Sequence, residues 1–156
     1  MAKEQNGGFR TISDNRKARF RYEILETFEA GLVLVGTEVK SIRAGKVNMG
    51  DGFGQIRNGE AWLHNVHISP YQASGEYFNH EPRRIRKLLL HKKEITKLIG
   101  KLEEKGLTLV PLKMYFKRGI VKVSLGIGKG KKLHDKRETV KQRQDQRDMQ
   151  RAMKRY

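Results

Sequence analysis

The sequence predicts a mainly β fold with some α-helix: a small antiparallel barrel with flanking helices and a disordered basic C-terminal tail. Three observations lead to this prediction. Short apolar segments separated by turn residues recur through residues 15–128, one strongly periodic helix interrupts them, and charge and glutamine dominate from Lys129 onward. Several short strands with turn signals between them are typical of small antiparallel barrels.

Composition and charge limit the class of protein. The 156 residues suffice for one ordinary domain with an extension. A net charge of +17 predicts a polyanionic partner, most commonly nucleic acid. An anionic membrane surface is the alternative, but no segment approaches the ~20 apolar residues of a spanning helix. The polar start of the chain argues against secretion, and the absence of cysteine excludes disulfides and Cys-ligated metals, so we expect a cytoplasmic protein.

The chain divides into three parts. Residues 1–14 are polar and are expected to be flexible, residues 15–128 are expected to form the barrel, and residues 129–156 carry a charge of +7. Such a tail buries too little apolar surface to offset the entropy of ordering, so it is expected to be disordered when free. Its apolar residues nonetheless have helical spacing: Met149, Ala152, Met153 and Tyr156. We therefore expect the tail to become helical only against an anionic surface.

Two strands and a short helix are predicted at the start of the barrel. Apolar and polar residues alternate from Phe20, which indicates a half-buried strand, and the apolar run at 32–35 indicates a more buried one. Thr37 is expected to cap a short helix that ends at Gly45. The basic run at 15–19 is either a solvated flank or a phosphate-contacting lip, and charge alone does not separate the two.

A β-hairpin is predicted next. Asn58-Gly59 lies between the strand-like segments 53–57 and 60–67, and both central residues of a type I′ turn need positive φ. The second arm contains Trp62. An indole there either stacks on a nucleic-acid base or packs in the core, and the core is the commoner place for a single tryptophan on a strand.

The rest of the barrel region predicts a loop, a helix and another hairpin. Residues 69–82 have the composition of a long surface loop, and residues 91–105 place apolar side chains on one helical face. Residues 107–117 and 120–127 alternate as two strands, and Pro111 indicates an edge position or a bulge in the first. An OB-like barrel is the commonest positively charged fold with this arrangement of strands, although periodicity does not define the topology.

Enzyme motifs are absent from the sequence. Gly126-x-Gly-x-Gly130 leads into a charged tail and not into a helix, which argues against a dinucleotide loop. His134 and Asp135 are neighbours whose side chains point apart, which argues against a catalytic dyad. We expect no catalytic residue, metal or cofactor. An RNA-cleaving enzyme stays as an alternative, which a divalent-metal cleavage assay on structured RNA decides.

Four segments in order carry a closer resemblance: Phe28–Leu32, Gly36–Gly45, Arg86–Leu90 and Gly128–Arg137. They resemble the SmpB family, the bacterial SsrA-binding proteins. The resemblance implies an OB-like barrel that binds the tRNA-like domain of transfer-messenger RNA and delivers it, with elongation factor Tu, to stalled ribosomes. The protein then mimics the anticodon arm while its tail probes the empty mRNA channel near the decoding centre. A general ribosomal-RNA binder or RNA chaperone is the alternative.

The resemblance also implies site residues. The barrel residues that match the family's positions for transfer-messenger RNA binding are Glu29, Leu89 and Lys122. Interpreted from the sequence pattern alone, these residues would be a solvated carboxylate, a leucine in the core and a lysine that points outward, respectively. Phosphate contacts are expected from Asn15, Arg16, Lys17, Arg19, Lys129, Lys131 and Lys132. The tail residues expected at the decoding centre and in the channel are His134, Asp135, Lys136, Arg137 and Met153. The glycines at 126, 128 and 130 are expected to let the backbone leave the barrel close to RNA.

Overall fold

The computed structural model describes residues 8–75, 77–131 and 133–154, without the side chains of residues 133–136, 139 and 154. The strands in this part of the chain are β1 Arg10–Asp14, β2 Tyr22–Leu32, β3 Val47–Asn48, β4 Phe53–Arg57, β5 Glu60–His64, β6 His67–Ile68, β7 Arg86–Leu89, β8 Leu107–Lys117 and β9 Ile120–Gly130. The helices are α1 Arg16–Arg21, α2 Gly36–Arg43, α3 Lys92–Leu102 and α4 Leu133–Lys154.

Seven strands form one antiparallel sheet that curls into a partially closed barrel. Their order is β1-β8-β4-β5-β7-β2-β9, and β9 also pairs with β8. Strands β8 and β9 pair along their whole length, whereas β4 meets β8 at the single pair Gly54 and Leu109. Strands β3 and β6 form a separate two-stranded ribbon. The predicted antiparallel barrel with flanking helices is therefore confirmed.

Alternating apolar residues of the strands fill the barrel. On β9 the side chains of Val123, Leu125 and Ile127 are almost fully buried, as the period-two pattern predicts. Helix α3 packs against β4 and β8 and buries Leu98 completely. The helix predicted at 91–105 is thus confirmed, but it ends at Leu102, and Gly106, with a φ of +87°, lies in the turn that leads to β8.

The two predicted hairpin turns are also confirmed. Asn58 and Gly59 have φ values of +53° and +73°, and Arg118 and Gly119 have values of +52° and +77°. The register of β8 against β9 shifts between Pro111 and Lys113. Proline lacks the N–H that a regular ladder uses, so this bulge is the irregularity that the sequence predicted.

The start of the chain differs from the prediction. Residues 10–14, expected to be flexible, form β1 and pair with β8, because the long β8 offers a free edge there. The predicted second strand at 32–35 is wrong: β2 continues to Leu32, held by β9 and β7 on its two sides. The predicted cap, Thr37, is two residues too late, since Val35 precedes α2 and donates its N–H to Glu38 Oε1 at 2.9 Å. Residues 1–7 lie outside the described part of the chain.

A buried ion-pair cluster fastens α2 to β7. Glu38 and Arg86 are both fully buried, and Arg86 Nε donates to Glu38 Oε2. Arg84 Nη2 donates to the other carboxylate oxygen at 2.6 Å. The remaining guanidinium nitrogens of Arg86 donate to the carbonyls of Val66 and Pro82 at 2.8 and 3.0 Å. Every charge in the pair therefore has hydrogen-bond partners, as buried charges require.

The glycines of β9 pack closely and do not form the expected hinge. Gly126 and Gly128 are buried and paired with Thr27 and Ile24 of β2. A Cβ on Gly128 would lie 2.8 Å from Tyr22 Cβ, closer than two carbons approach without displacement. The strand continues to Gly130, so the chain leaves the barrel two residues later than the predicted boundary at 128.

Replacing Gly128 by alanine is therefore expected to lower the free energy of unfolding by about 1–3 kcal/mol, the usual cost of overpacking a core. Gly130→Ala is the matched control on the same strand, because a Cβ there meets no atom within 4 Å. Urea denaturation of both variants checks the prediction. Equal stability of the two would show that β2 moves aside freely.

The tail forms one helix in the structure. Helix α4 has 22 residues and is about 33 Å long. All its described side chains are exposed, including Met149 and Met153, and it lies close to α1. The helical spacing seen in the sequence thus has a structural counterpart. Its described side chains bury little apolar surface, and the expected disorder of the free tail stays a prediction.

Candidate nucleic-acid interface

One row of residues crosses the outer face of the barrel on neighbouring strands. Leu89 of β7 lies opposite Gly31 of β2, Gly31 lies opposite Lys122 of β9, and Lys122 lies opposite Tyr115 of β8. Residues directly opposite each other in antiparallel strands project to the same face. Two of the three barrel residues expected from the resemblance are therefore brought into one row.

Leu89 is an exposed apolar side chain in this row. It is 51% exposed, which excludes the core position that an isolated leucine in an apolar run suggests. Its neighbour Gly31 presents no side chain, and a Cβ there would lie 3.3 Å from Leu89 Cβ. The glycine thus leaves the flank of Leu89 open to a ligand, and the leucine offers an apolar contact to a sugar or base.

Glu29 lies two residues before Gly31 on β2 and therefore on the same face. Tyr115 Oη donates a hydrogen bond to Glu29 Oε2, and Lys117 Nζ lies 3.3 Å from Glu29 Oε1. The hydrogen bond from Tyr115, assisted by Lys117 and by the charge of Lys122, lowers the pKa of the Glu29 carboxyl against the opposing effect of burial. Glu29 is thus an ionised, oriented acceptor.

Tyr115 is held in place by its surroundings. Its side chain is only 5% exposed because the ring of Phe9 covers it, with 4.6 Å between ring centroids. Burial, followed by the hydrogen bond to the carboxylate, raises the pKa of the Tyr115 hydroxyl. The hydroxyl therefore stays a donor to Glu29 at neutral pH. Lys113 Nζ lies 5.0 Å from the centroid of the Phe9 ring, so it adds another cation on β8 besides Lys117.

The lysines and the carboxylate of this face would contribute differently to the binding of an RNA. The cations attract phosphate and supply most of the affinity. A fixed carboxylate opposes phosphate but accepts hydrogen bonds from base amino groups, so it favours particular bases or orientations. The face therefore combines cations that attract phosphate with a carboxylate that favours particular bases.

A second basic region surrounds α1. Arg16, Lys17 and Arg19 are exposed there, as the phosphate-contacting role requires. Lys17 and Arg19 lie within ion-pair distance of Asp51 and Asp14, at 3.9 and 3.0 Å. These exposed pairs are weak and are available for exchange with phosphate.

Asn15 has a structural role instead. It is 3% exposed, and its amide nitrogen donates to the carbonyls of Met49 and Pro111 at 3.0 and 2.7 Å. Its amide oxygen accepts from the N–H of Ala18 at 3.2 Å and caps α1. No polar atom of Asn15 is left for phosphate, so the expected contact by this residue is wrong.

The junction and the tail continue from the α1 region. Lys129 is exposed, and the N–H of Lys131 donates to the carbonyl of Arg21 at 2.9 Å, which joins the end of β9 to α1. Lys132 lies outside the described residues. His134, Asp135 and Lys136 belong to the first turn of α4 without described side chains, while Arg137 and Met153 are exposed.

The two basic regions lie at opposite ends of the same strand pair. Seven residues of β9 separate Lys122 from Lys129, which corresponds to about 23 Å. The face around Glu29 and the region from which α4 extends can therefore contact different parts of a large partner at the same time.

The described residues contain no group of three or more His, Cys, Asp or Glu side chains placed to hold a metal ion. Among the helices of that part of the chain, none is both long and apolar enough to cross a membrane.

Sequence reasoning missed three contributors to the face around Glu29. Tyr115 and Lys117 orient the carboxylate, and Gly31 opens the flank of Leu89. The alternation on β8 and β9 indicates which residues point outward, and the two-residue turn between these strands sets their register, but no pattern in the sequence gives the register of β2 against β9.

An antiparallel barrel with a basic outer face and a basic terminal helix defines a small nucleic-acid-binding protein. The family model described as SmpB protein matches residues 12–155. The chain therefore belongs to the SmpB family.

Individual relatives agree with this assignment. The SsrA-binding protein of Gloeothece citriformis is 74% identical over 152 residues, which cover 97% of this chain and 98% of the relative. The SsrA-binding protein of Nostoc punctiforme is 72% identical over 153 residues, covering 98% and 99%. A chain of a solved structure described as "tmRNA-SmpB: a journey to the center of the bacterial ribosome" is similar with a TM-score of 0.67 and 56% identity, covering 82% of this chain and 93% of that one.

Proposed function

We propose that this chain binds transfer-messenger RNA through its tRNA-like domain and delivers it to stalled bacterial ribosomes in trans-translation. The observation that carries the proposal is the convergence of Glu29, Leu89 and Lys122 on one outer face of the barrel. Family membership and the similarity to a chain of a tmRNA–SmpB structure support it.

In this proposal the barrel and the tail have separate functions. The barrel holds the RNA through the face around Glu29, with Lys129, Lys131, Lys132 and α1 adding phosphate contacts. Helix α4, which is about 33 Å long, enters the empty mRNA channel, with its first turn at the decoding centre. Message in the channel excludes the helix sterically, so only vacant ribosomes accept it.

The proposed action needs binding alone. We infer that the chain is not an enzyme and that it works in the cytoplasm, where stalled ribosomes occur. Elongation factor Tu is a partner through the aminoacylated RNA and needs no site on this chain.

Lys122→Ala is expected to weaken binding of transfer-messenger RNA and to reduce the slope of log affinity against log salt concentration by about one. The loss of one phosphate-attracting cation at the proposed face is the physical reason. Fluorescence anisotropy of labelled RNA at several salt concentrations measures both quantities.

Lys101→Ala is the control, because Lys101 is an exposed lysine on α3 and not on this face. It removes the same charge and is expected to change the affinity much less. Equal losses from the two lysines would show that net charge, and not the face around Glu29, determines binding.

A further inference from the structure

Trp62 does not occupy the core position that the sequence favoured. Its neighbours on β5, Ala61 and Leu63, are fully buried, while Trp62 is half-buried and projects from the outer face of the sheet. It lies opposite Gln55 on β4 and opposite Lys87 on β7. The exposed side chains of Phe53 and Ile85 lie near it, and such a cluster of apolar groups on an outer face indicates a binding surface.

A small cavity opens beside the indole. Its volume is about 260 Å³; Trp62 and Ile85 form its apolar part, and the imidazole of His64 lies beside them. The side-chain amides of Gln55 and Asn58 line the same cavity and offer hydrogen-bond donors and acceptors. The volume is below the ~300–1,000 Å³ of sites for drug-sized ligands, so it suits a single planar group.

Parallel rings already stack at the edge of this cavity. Phe53 of β4 lies over His64 of β5 with 5.0 Å between centroids and an interplanar angle of 6°. Phe53 is also 41% exposed, so its outer surface is accessible. Aromatic rings on a sheet surface are stacking platforms for unpaired bases, since every base has a π-face.

Charge near the cavity favours an anionic ligand. Arg57 is exposed and lines the cavity, and Lys87 lies on the neighbouring strand. Glu60, which also lines it, pairs with Lys87 at 3.2 Å. Arg57 thus supplies a cation for the phosphate of a nucleotide whose base occupies the cavity.

The cavity lies beside the face around Glu29. Lys87 and Leu89 are two residues apart on β7 and project to the same side, so the row containing Trp62 lies about 7 Å from the row containing Leu89 and Lys122. A nucleic acid bound at Leu89 on β7 therefore reaches Trp62 on the neighbouring strand β5.

We propose that the cavity beside Trp62 binds one unpaired nucleobase of transfer-messenger RNA, which stacks on the indole and is read by the amides of Gln55 and Asn58. The inference rests on the proposed function. It adds a base-binding site on β4 and β5 to the face formed by β2, β7 and β9.

The test uses the chain's only tryptophan as its own reporter. The full-length protein is titrated with a transcript of the tRNA-like domain of transfer-messenger RNA. Anisotropy of the labelled transcript measures binding, and tryptophan emission measures what happens at Trp62. Stacking is expected to quench the emission at saturation and to reduce quenching by acrylamide. Lys122→Ala is expected to need more RNA for saturation and then to show the same final emission.

Two substitutions give a second readout. Trp62→Phe keeps an aromatic ring and is expected to keep most of the affinity, whereas Trp62→Leu keeps an apolar side chain and is expected to lose about tenfold. Thermal unfolding of both variants checks that the fold is intact.

Quenched emission together with weaker binding of Trp62→Leu than of Trp62→Phe supports the inference. Binding with unchanged emission overturns it and leaves the proposed function standing, and equal affinity of the two variants has the same meaning. Absence of RNA binding by the unaltered protein overturns the proposed function and this inference together.

Discussion

Glu38→Gln is expected to lower the free energy of unfolding by about 3–5 kcal/mol, the cost of leaving one member of a buried ion pair without its partner. Glutamine has nearly the same shape and keeps an oxygen that accepts from the N–H of Val35. It removes the charge that compensates Arg86, which is fully buried. Urea denaturation measures the effect as a shift of the midpoint at unchanged slope.

Glu94→Gln is the matched control for this substitution. Glu94 also stands in the first turn of a helix, and its Oε1 accepts from the N–H of His91 at 3.1 Å. It has no buried arginine among its partners in the described part of the chain, so its loss is expected to stay below about 1 kcal/mol. Equal losses would show that capping, and not charge burial, gives Glu38 its importance.

The pH dependence of stability provides a second readout for Glu38. Burial raises the pKa of its carboxyl, but hydrogen bonds from Arg84, the N–H of Val35 and Arg86 outweigh burial and leave the pKa below its usual value of 4.5. A lowered pKa means that the contribution to stability is present above pH 4.5 and is lost as the pH falls further. The Gln variant is expected to lose less stability over that acidic range.

Ending the chain at Lys132 is expected to abolish tagging of stalled peptides while leaving binding of transfer-messenger RNA nearly unchanged. The truncation removes α4 and leaves the barrel whole, because β9 ends at Gly130 and Lys131 still bonds to Arg21. We expect the affinity to change by less than about threefold, or under ~0.7 kcal/mol. RNA anisotropy and a reconstituted translation reaction on a message without a stop codon measure the two activities.

Lys122→Ala is the complementary control for the truncation. It is expected to weaken RNA binding and to recover tagging at saturating protein, since its tail is intact. If the truncated chain instead lost RNA binding, the proposed division between barrel and tail would be wrong.

Local patterns predicted much of the secondary structure and only part of the candidate site. The turns at Asn58-Gly59 and Arg118-Gly119, the helix at 91–105 and the bulge at Pro111 follow from rules that involve neighbouring residues. The face around Glu29 depends on pairing between strands that are distant in sequence: Glu29 and Tyr115 are 86 residues apart. The resemblance located Glu29, Leu89 and Lys122, but it did not identify Tyr115 or Gly31 as the groups that orient and expose them.

The errors have the same physical origin. The sequence suggested a break in β2 near Gly31, but pairing with β9 and β7 keeps the strand continuous. Asn15 was expected to contact phosphate because it lies in a basic run, yet the backbone of residues 49 and 111 surrounds its amide. Gly126 and Gly128 were interpreted as a hinge, but the side chains of Leu112 and Tyr22 pack against them and leave no room for a Cβ.

The sequence by itself determined that this protein is a basic β-rich domain with a solvated basic extension, since charge, periodicity and turn residues are properties of short segments. It also determined the family, through four motifs in order. Only the tertiary structure decided which residues share a face, because strand register converts distant positions into neighbours. That register turned Trp62 away from the core and placed Leu89, Gly31 and Lys122 in one row. It also buried Arg86, although this residue belongs to a basic run in the sequence.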